Sequence, residues 1–375
     1  MGTLIKWELK RFAKRKYVFV ITLLLILLNL YIVNYDYDSF LNYNMYMENM
    51  GEELNIIQGE ITPEKREFAK QQIKNIDQER QHAKTEAEGS QLVMRRFVYN
   101  DYLNYQDNPL FPFSYGNRTF ENRDELIGML NNHEPQSAEH TKLSGYLGLT
   151  ENVITDRFYI MRWDYISQQN FLLFLMIVLV VAMAPVFGED YSSGVASLTL
   201  SSKYGRTKLV KARMFASMIF GTFLLASFFV TELIMKLSLE GVNGFQGRIS
   251  QMGFIYLPNV TPLIGLTVFF LFTLLSAMSL ALLTLVIALF TRKTFTAMIV
   301  MVLINIVAES VKFKYINNFS IRLLVNNFYS SFIEYNPISV FGNIIHYPIF
   351  LVFWVLVISA LSALLVLNQG GRQHL

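Results

Sequence analysis

The chain of 375 residues contains no cysteine, which excludes a disulfide framework, a thiolate zinc site and thiol redox chemistry. Charge is also scarce. Asp, Glu, Lys and Arg make up 16% of residues against 53% hydrophobic, well below the roughly 25% charged of soluble domains. No G-x-x-x-x-G-K-[ST] run is present, so the chain does not cradle nucleotide phosphates as a P-loop does, and H-E-x-x-H and G-x-S-x-G are likewise missing. Histidines are few: His82, His133, His140, His346 and His374. His133 and His140 flank Glu134 and Glu139, a pattern that solvated loop residues produce as readily as a weak metal site. No metal or cofactor is expected on this chain. No acid–base cluster gathers at one membrane face, which argues against an enzyme.

What the chain does have is apolar length. Six segments, 17–33, 170–187, 212–235, 262–290, 295–309 and 348–367, reach or approach the span of a bilayer about 30 Å thick. The fold class expected is an all-α polytopic membrane protein with six transmembrane helices. The first apolar run is followed by Tyr35, Asp36, Tyr37 and Asp38 rather than a small-residue cleavage site, so it reads as a retained anchor. Basic residues cluster in 1–16 (Lys6, Lys10, Arg11, Lys14, Arg15, Lys16), in 188–213, at Arg292 and Lys293, and at Arg372. The other short loops hold only Lys236, Arg248, Lys312, Lys314 and Arg322. This asymmetry predicts both termini in the cytoplasm, in a cell membrane, with a bacterial cytoplasmic membrane the expected location.

Residues 3–16 predict an amphipathic helix with Leu4, Ile5, Leu9, Phe12 and Ala13 on one face, Trp7 at its edge, and Lys6, Lys10 and Lys14 opposite. It reads either as an interfacial helix near anionic lipid or as a topogenic charge cluster. Residues 34–169 form a largely helical extracytoplasmic domain, with 22 acidic and 13 basic residues. Thr62-Pro63-Glu64 signals a helix start, and the helix is expected to run to about Glu88, stopping at Gly89. Its stripe of Ala69, Ile73, Ile76, Ala83 and Ala87 would meet a second helix at 91–106 through Leu92, Phe97, Val98 and Leu103. The loop 108–117 is either a binding loop or a lid over that helix pair. Two further outside loops, 236–261 and 310–347, are expected, and 319–345 reads as re-entrant or interfacial helices broken by Asn-Pro and Gly.

Acidic residues within spans are rare and costly. Here they are Glu232 and Glu309, with Asn305 close to the latter. They either border a transport path, with Lys236 or Lys312 as ion-pair partners, or snorkel to the outer interface. The absence of a facing carboxylate pair argues against proton coupling. Pro185 ends or kinks the second span.

The most informative stretch is 188–214, GEDYSSGVASLTLSSKYGRTKLVKARM. Asp190 is read as the cap of a short helix in which Phe187, Tyr191, Val195 and Leu198 recur at near-helical spacing. Lys203, Arg206, Lys208, Lys211 and Arg213 follow and hold the loop at the cytoplasmic face. A short helix beneath the membrane joining two spans is a lever.

With Phe187, Glu189 and Gly194 ending the second span, the Ser-Lys-Tyr-Gly-Arg run at 202–206, a basic amphipathic start and a large domain after the first span, the chain resembles the ABC-2 type permease, the transmembrane subunit of an ATP-binding-cassette exporter. The resemblance implies that 188–200 is a coupling helix docking on a separate ATPase subunit. Phe187, Glu189, Asp190, Tyr191, Gly194, Leu198, Lys203 and Arg206 would then lie at or beside that contact. It also implies pairing with a second, like or homologous, permease, and ATP and Mg on the partner chain. The path would lie between the permeases, along the second and fifth spans. Amphipathic cargo such as a peptide, antibiotic or lipid fits the aromatic-rich spans, and no nucleic-acid partner is expected. A rival reading is a membrane-anchored sensor of an extracellular peptide or lipid.

Overall fold

The computed structural model describes residues 1–39, 50–83, 85–110, 113–115, 118–120, 122–135, 137–159, 171–195, 205–241, 245–252, 255–310, 335, 337–340 and 343–372. They are predominantly helical. Helix α1 is Gly2–Lys14 and α2 is Lys16–Ser39. An inserted domain follows, with α3 (Gly51–Ile57), β1 (Gly59–Glu60), α4 (Pro63–Arg80), α5 (Glu86–Asp107), β2 (Phe113–Tyr115), β3 (Arg118–Phe120), α6 (Arg123–Asn131), α7 (Ala138–Glu151) and β4 (Arg157–Phe158). The bundle continues with α8 (Phe171–Met183), α9 (Pro185–Ser192), α10 (Val210–Glu240), α11 (Pro262–Thr291), α12 (Thr294–Ser310), a ribbon of β5 (Ile338–Val340) and β6 (Asn343–Ile345), and α13 (Tyr347–Arg372).

Five stretches are long and apolar enough to cross a membrane: Lys16–Tyr35, Phe171–Ser192, Thr207–Leu239, Pro262–Thr291 and Tyr347–Gly370. The sixth expected span corresponds to α12, which counts as a shorter apolar helix. The second apolar stretch extends to Ser192 because Pro185 occupies the first turn of α9. There its missing N–H costs little, so the helix runs on past the expected boundary at 187.

Helix α8 is apolar on every side, and the apolar part of the α8–α9 stretch is 83% buried, against 22% for α2 and 28% for α13. A helix greasy all round belongs in the middle, and α8 packs against α2, α10 and α11 while the outer helices turn apolar faces outward. Lipid tails are as apolar as leucine, so close approach rather than hydrophobicity must hold such helices together. Accordingly α11 buries Ser276, Ala277, Ser279, Ala281 and Ala288. The hydroxyls of Thr273 and Thr284 donate to the carbonyls of Phe269 and Leu280 one turn back, which satisfies them without water.

The inserted domain has two small cores. In the first, α4 lies along α5. Thr62 accepts the Lys65 amide, with Pro63 in the first turn, as the sequence predicts. The helix ends at Arg80, not Glu88. Thr85 starts a new helix by accepting the Glu88 amide, and Gly89 falls in the first turn of α5. Ala69 and Ile76 are buried as expected, but Ala83 is exposed and lies beyond the helix. On α5, Val98 is buried while Phe97 is 58% exposed. Tyr99, Tyr102 and Tyr105 fill the core instead, Tyr102 edge-on to Phe158 at 5.1 Å. Antiparallel pairing of Gly59 with Phe158 closes the domain's two ends on each other. In the second core, α6 and α7 bury Leu126, Leu130, Leu143 and Tyr146 against Ile255 and Tyr335.

The domain is tied to the α10–α11 connection. Arg248 donates to both Asp156 carboxylate oxygens, at 3.1 and 3.0 Å. Asn259 bonds Asn152 and Ile154, and the hydroxyls of Tyr105 and Ser250 lie 3.0 Å apart. The Arg248 guanidinium holds the Asp156 carboxyl below its ordinary range. Of the expected re-entrant segment 319–345, most lies outside the described residues. The described end is the β5–β6 ribbon, not helix. Of the 108–117 loop, only 108–110 and strand β2 are described.

Candidate functional site

The polar end of α9 meets α1 and the start of α10, and the contact is built from six charged side chains. Three are acidic (Glu8, Glu189, Asp190) and three are arginines (Arg11, Arg15, Arg213). Arg213 is central. It donates to Glu8 Oε1 at 3.1 Å and pairs with Asp190 Oδ2. Arg11 donates to Asp190 Oδ1 at 3.0 Å and lies 3.4 Å from Glu8 Oε2. Arg15, between α1 and α2, donates to Glu189 Oε2 at 2.8 Å and to the Ala182 carbonyl at 3.0 Å. Glu8, Asp190 and Arg213 are each no more than 5% exposed. Charges this buried persist only when paired and fully hydrogen-bonded, and the three-to-three balance meets that demand.

Aromatic rings line the cluster. The Arg15 guanidinium sits over Phe12, Arg213 over Phe187 and Arg292 over Tyr191, at 5.2, 5.3 and 5.5 Å. Phe12 stacks on Phe220 of α10 at 4.6 Å. The apolar face of α1 is therefore taken up by protein, with Phe12 2% exposed and Ile5 and Leu9 packed on the bundle core.

Across α9, Gly188 abuts the first residue of α12. A Cβ at 188 would lie 2.6 Å from the Thr294 amide nitrogen and 2.8 Å from its Cα. Only a glycine permits that backbone approach. The end of α9 is thus held on one side by arginines of α1 and α10 and on the other by the α11–α12 turn, where Arg292 adopts a left-handed conformation (φ 55°).

This geometry corrects the local reading of 188–200. Asp190 caps no helix there. It lies within the last turn of α9, and its carboxylate turns inward to Arg11 and Arg213. The helix ends at Ser192; the hydroxyl of the capping Ser193 donates to the Glu189 carbonyl at 2.7 Å, and Gly194 follows with φ +73°. A single helix through 188–200 is excluded by that left-handed residue. Phe187 is buried, Tyr191 is half-buried beneath Arg292, and Glu189 keeps part of its side chain exposed. Leu198 and Lys203 lie outside the described residues. Arg206 is the second residue of the π-helical turn Gly205–Leu209, and only its backbone is described. Arg213, expected as a loop charge, is buried. Glu8 carries no local signal beyond being the one acid among the basic residues of α1.

A second buried charge lies elsewhere. Glu232 does not snorkel outward. It is 3% exposed, paired with Lys236 at 2.7 Å, and accepts from Asn29 Nδ2 of α2 at 2.8 Å. Glu232 and Lys236 are one turn apart on α10, where opposite charges meet. They lie about 28 and 34 Å along the helix from Arg213. Asn305 and Glu309 lie on α12, but only their backbone is described. The structure therefore brings Glu232 together with Asn29 and Lys236.

Among the described residues no group of three or more His, Asp or Glu gathers as a metal site. A scan of known protein families finds no model that matches this chain, and no curated protein matches its sequence.

Proposed function

We propose that this chain is the permease subunit of an ATP-driven exporter of the ABC-2 type, with both termini cytoplasmic and α12 completing six spans. The observation that carries the reading is the six-charge junction that fastens α1, the end of α9 and the start of α10 into one unit. The segment between Gly194 and Gly205 joins two members of this unit, the end of α9 and the start of α10. A partner that pushes on that segment would move three helices together, because separating them would strip counter-charges from Glu8, Asp190 and Arg213. Energy supplied from outside also suits a chain that carries no nucleotide-binding motif. The partner would be a separate ATPase, which shifts the permease between states only by contacting them differently. A second permease, alike or homologous, would complete the pathway, with amphipathic peptide, antibiotic or lipid as cargo.

The test is isolation of the chain from its native membrane, followed by identification of co-purifying chains and measurement of ATP-dependent efflux of a fluorescent amphipathic peptide from reconstituted vesicles. A stoichiometric P-loop ATPase with ATP-dependent efflux is the expected result. Purification without such a subunit would sink the reading and leave the extracellular sensor in its place.

A further inference from the structure

The end of the bundle that bears the six-charge junction sorts its cations by type. Every arginine of the junction faces a carboxylate, and all three local carboxylates are consumed. The lysines of α1 and the one that opens α2 are left over. Lys6, Lys10 and Lys14 stand on one row of α1 and are exposed, with Lys16 exposed at the start of α2. None of the four has an ion-pair partner among the described residues. Trp7, beside the row, is 53% exposed, with the Arg11 guanidinium 5.5 Å from its ring centre.

The row's surroundings follow from the chain. One residue, Arg15, separates α1 from an apolar helix long enough to cross a bilayer. The membrane surface therefore begins within one turn of Lys14. The apolar face of α1 is already covered by α10, so the helix does not need to bury it in acyl chains as a free amphipathic helix would. What it offers outward is charge at a spacing of about 6 Å along the axis, from the i, i+4, i+8 positions.

We infer that the Lys6–Lys10–Lys14 row of α1, with Trp7 at its edge, is a binding site for the phosphate groups of anionic phospholipids in the adjoining leaflet. Lysine serves here as a compact point charge toward phosphate, while the nearby arginines, which could also bind phosphate, are already committed to carboxylates inside the junction. Each lysine near an anionic surface contributes about a fivefold preference, so three acting together select anionic over zwitterionic lipid even from a minority pool.

The experiment uses the full chain with Trp163→Phe and Trp354→Phe, leaving Trp7 as the sole indole. It is reconstituted in vesicles of phosphatidylcholine with one-fifth phosphatidylglycerol, with bromine on the acyl chains of one lipid or the other. Preferential binding makes brominated phosphatidylglycerol quench Trp7 several-fold more per mole than brominated phosphatidylcholine. The ratio falls to about one for Lys6→Gln, Lys10→Gln and Lys14→Gln combined, survives the same three positions changed to Arg, and declines in high salt. A ratio near one in the parent chain, or one unchanged by the glutamine set, overturns the inference. So does a Trp7 shielded from both lipids when the chain is isolated with whatever subunit accompanies it, because the row would then serve a protein partner. The measurement needs no ATPase, so its outcome is independent of the transport reading.

Discussion

At the scale of single residues, burial decides which charges matter. Asp190 and Glu189 are neighbours in sequence and unequal in structure. Asp190 is 5% exposed and serves two arginines, whereas the Glu189 side chain is 43% exposed and serves chiefly Arg15. Asp190→Asn leaves the buried Arg213 short of a counter-charge and is expected to cost about 3–5 kcal/mol. Glu189→Gln, at a partly screened pair, is expected to cost about 1 kcal/mol or less. Thermal unfolding of the two variants in the same detergent checks the contrast, and equal midpoints would refute it. Lys236→Met is expected to be as damaging as Asp190→Asn, since it leaves Glu232 buried against Asn29, whose Oδ1 already has no hydrogen-bond partner among the described residues. Adding Glu232→Gln should recover most of the loss, because removing both members of a buried pair is far milder than removing one. Failure of the second change to rescue the first would mean that Lys236 acts through other contacts.

At the scale of elements, helix positions were legible in the sequence and helix purposes were not. Apolar runs report on the chain's own solvation, so α11, observed at Pro262–Thr291, differs by a single residue from the run 262–290. Thr62 announced its helix because a cap is a local device spanning four residues. Thr85 carries the same device with Glu88, and the signal was present but hidden by the continuing charge pattern. Asp190 misled for the converse reason. An aspartate before a periodic run resembles a cap, and nothing nearby reveals that its partners are Arg11, 179 residues away, and Arg213. Long-range pairing has no sequence periodicity to read. Gly188 belongs to the same class, because its requirement arises from Thr294 of another helix. Gly188→Ala forces α9 and α12 apart and is expected to cost about 1–3 kcal/mol by overpacking. Gly128→Ala, where an added Cβ meets nothing within 4 Å, is its control. A Gly188→Ala chain as heat-stable as the Gly128→Ala chain would show that the approach is looser than described.

At the scale of the whole molecule, the polar contacts that join the inserted domain to the bundle among the described residues lie at the α10–α11 connection. The Asp156 carboxyl is held below its ordinary range mainly by its hydrogen bonds to Arg248. Its contribution to the attachment is therefore complete above the usual carboxylate range and is lost as pH falls through the lowered value. Between pH 8 and pH 5 the joint should be indifferent to acidity, and below about pH 4 it should loosen. Hydrogen exchange of 245–252 and 152–159 reads this directly. Asp156→Asn should show the loosened exchange at neutral pH, with the α4–α5 core unchanged. Loss of protection beginning near pH 6 would implicate another group, with His346 the first to examine.

The enclosure of α8 has a bearing on how the protein is made. Synthesis delivers α8 and α9 to the bilayer before α10, α11 and α13 exist to enclose them. The mean hydropathy of 2.8 over Phe171–Ser192 lets this stretch wait among lipids as a stable, solitary segment. Asp190 fares differently, since Arg11 has already emerged while Arg213 has yet to be translated. A nascent chain halted after Ser192 would thus be integrated yet carry an under-neutralised carboxylate, a mark by which cellular quality control could tell an unfinished molecule from a finished one.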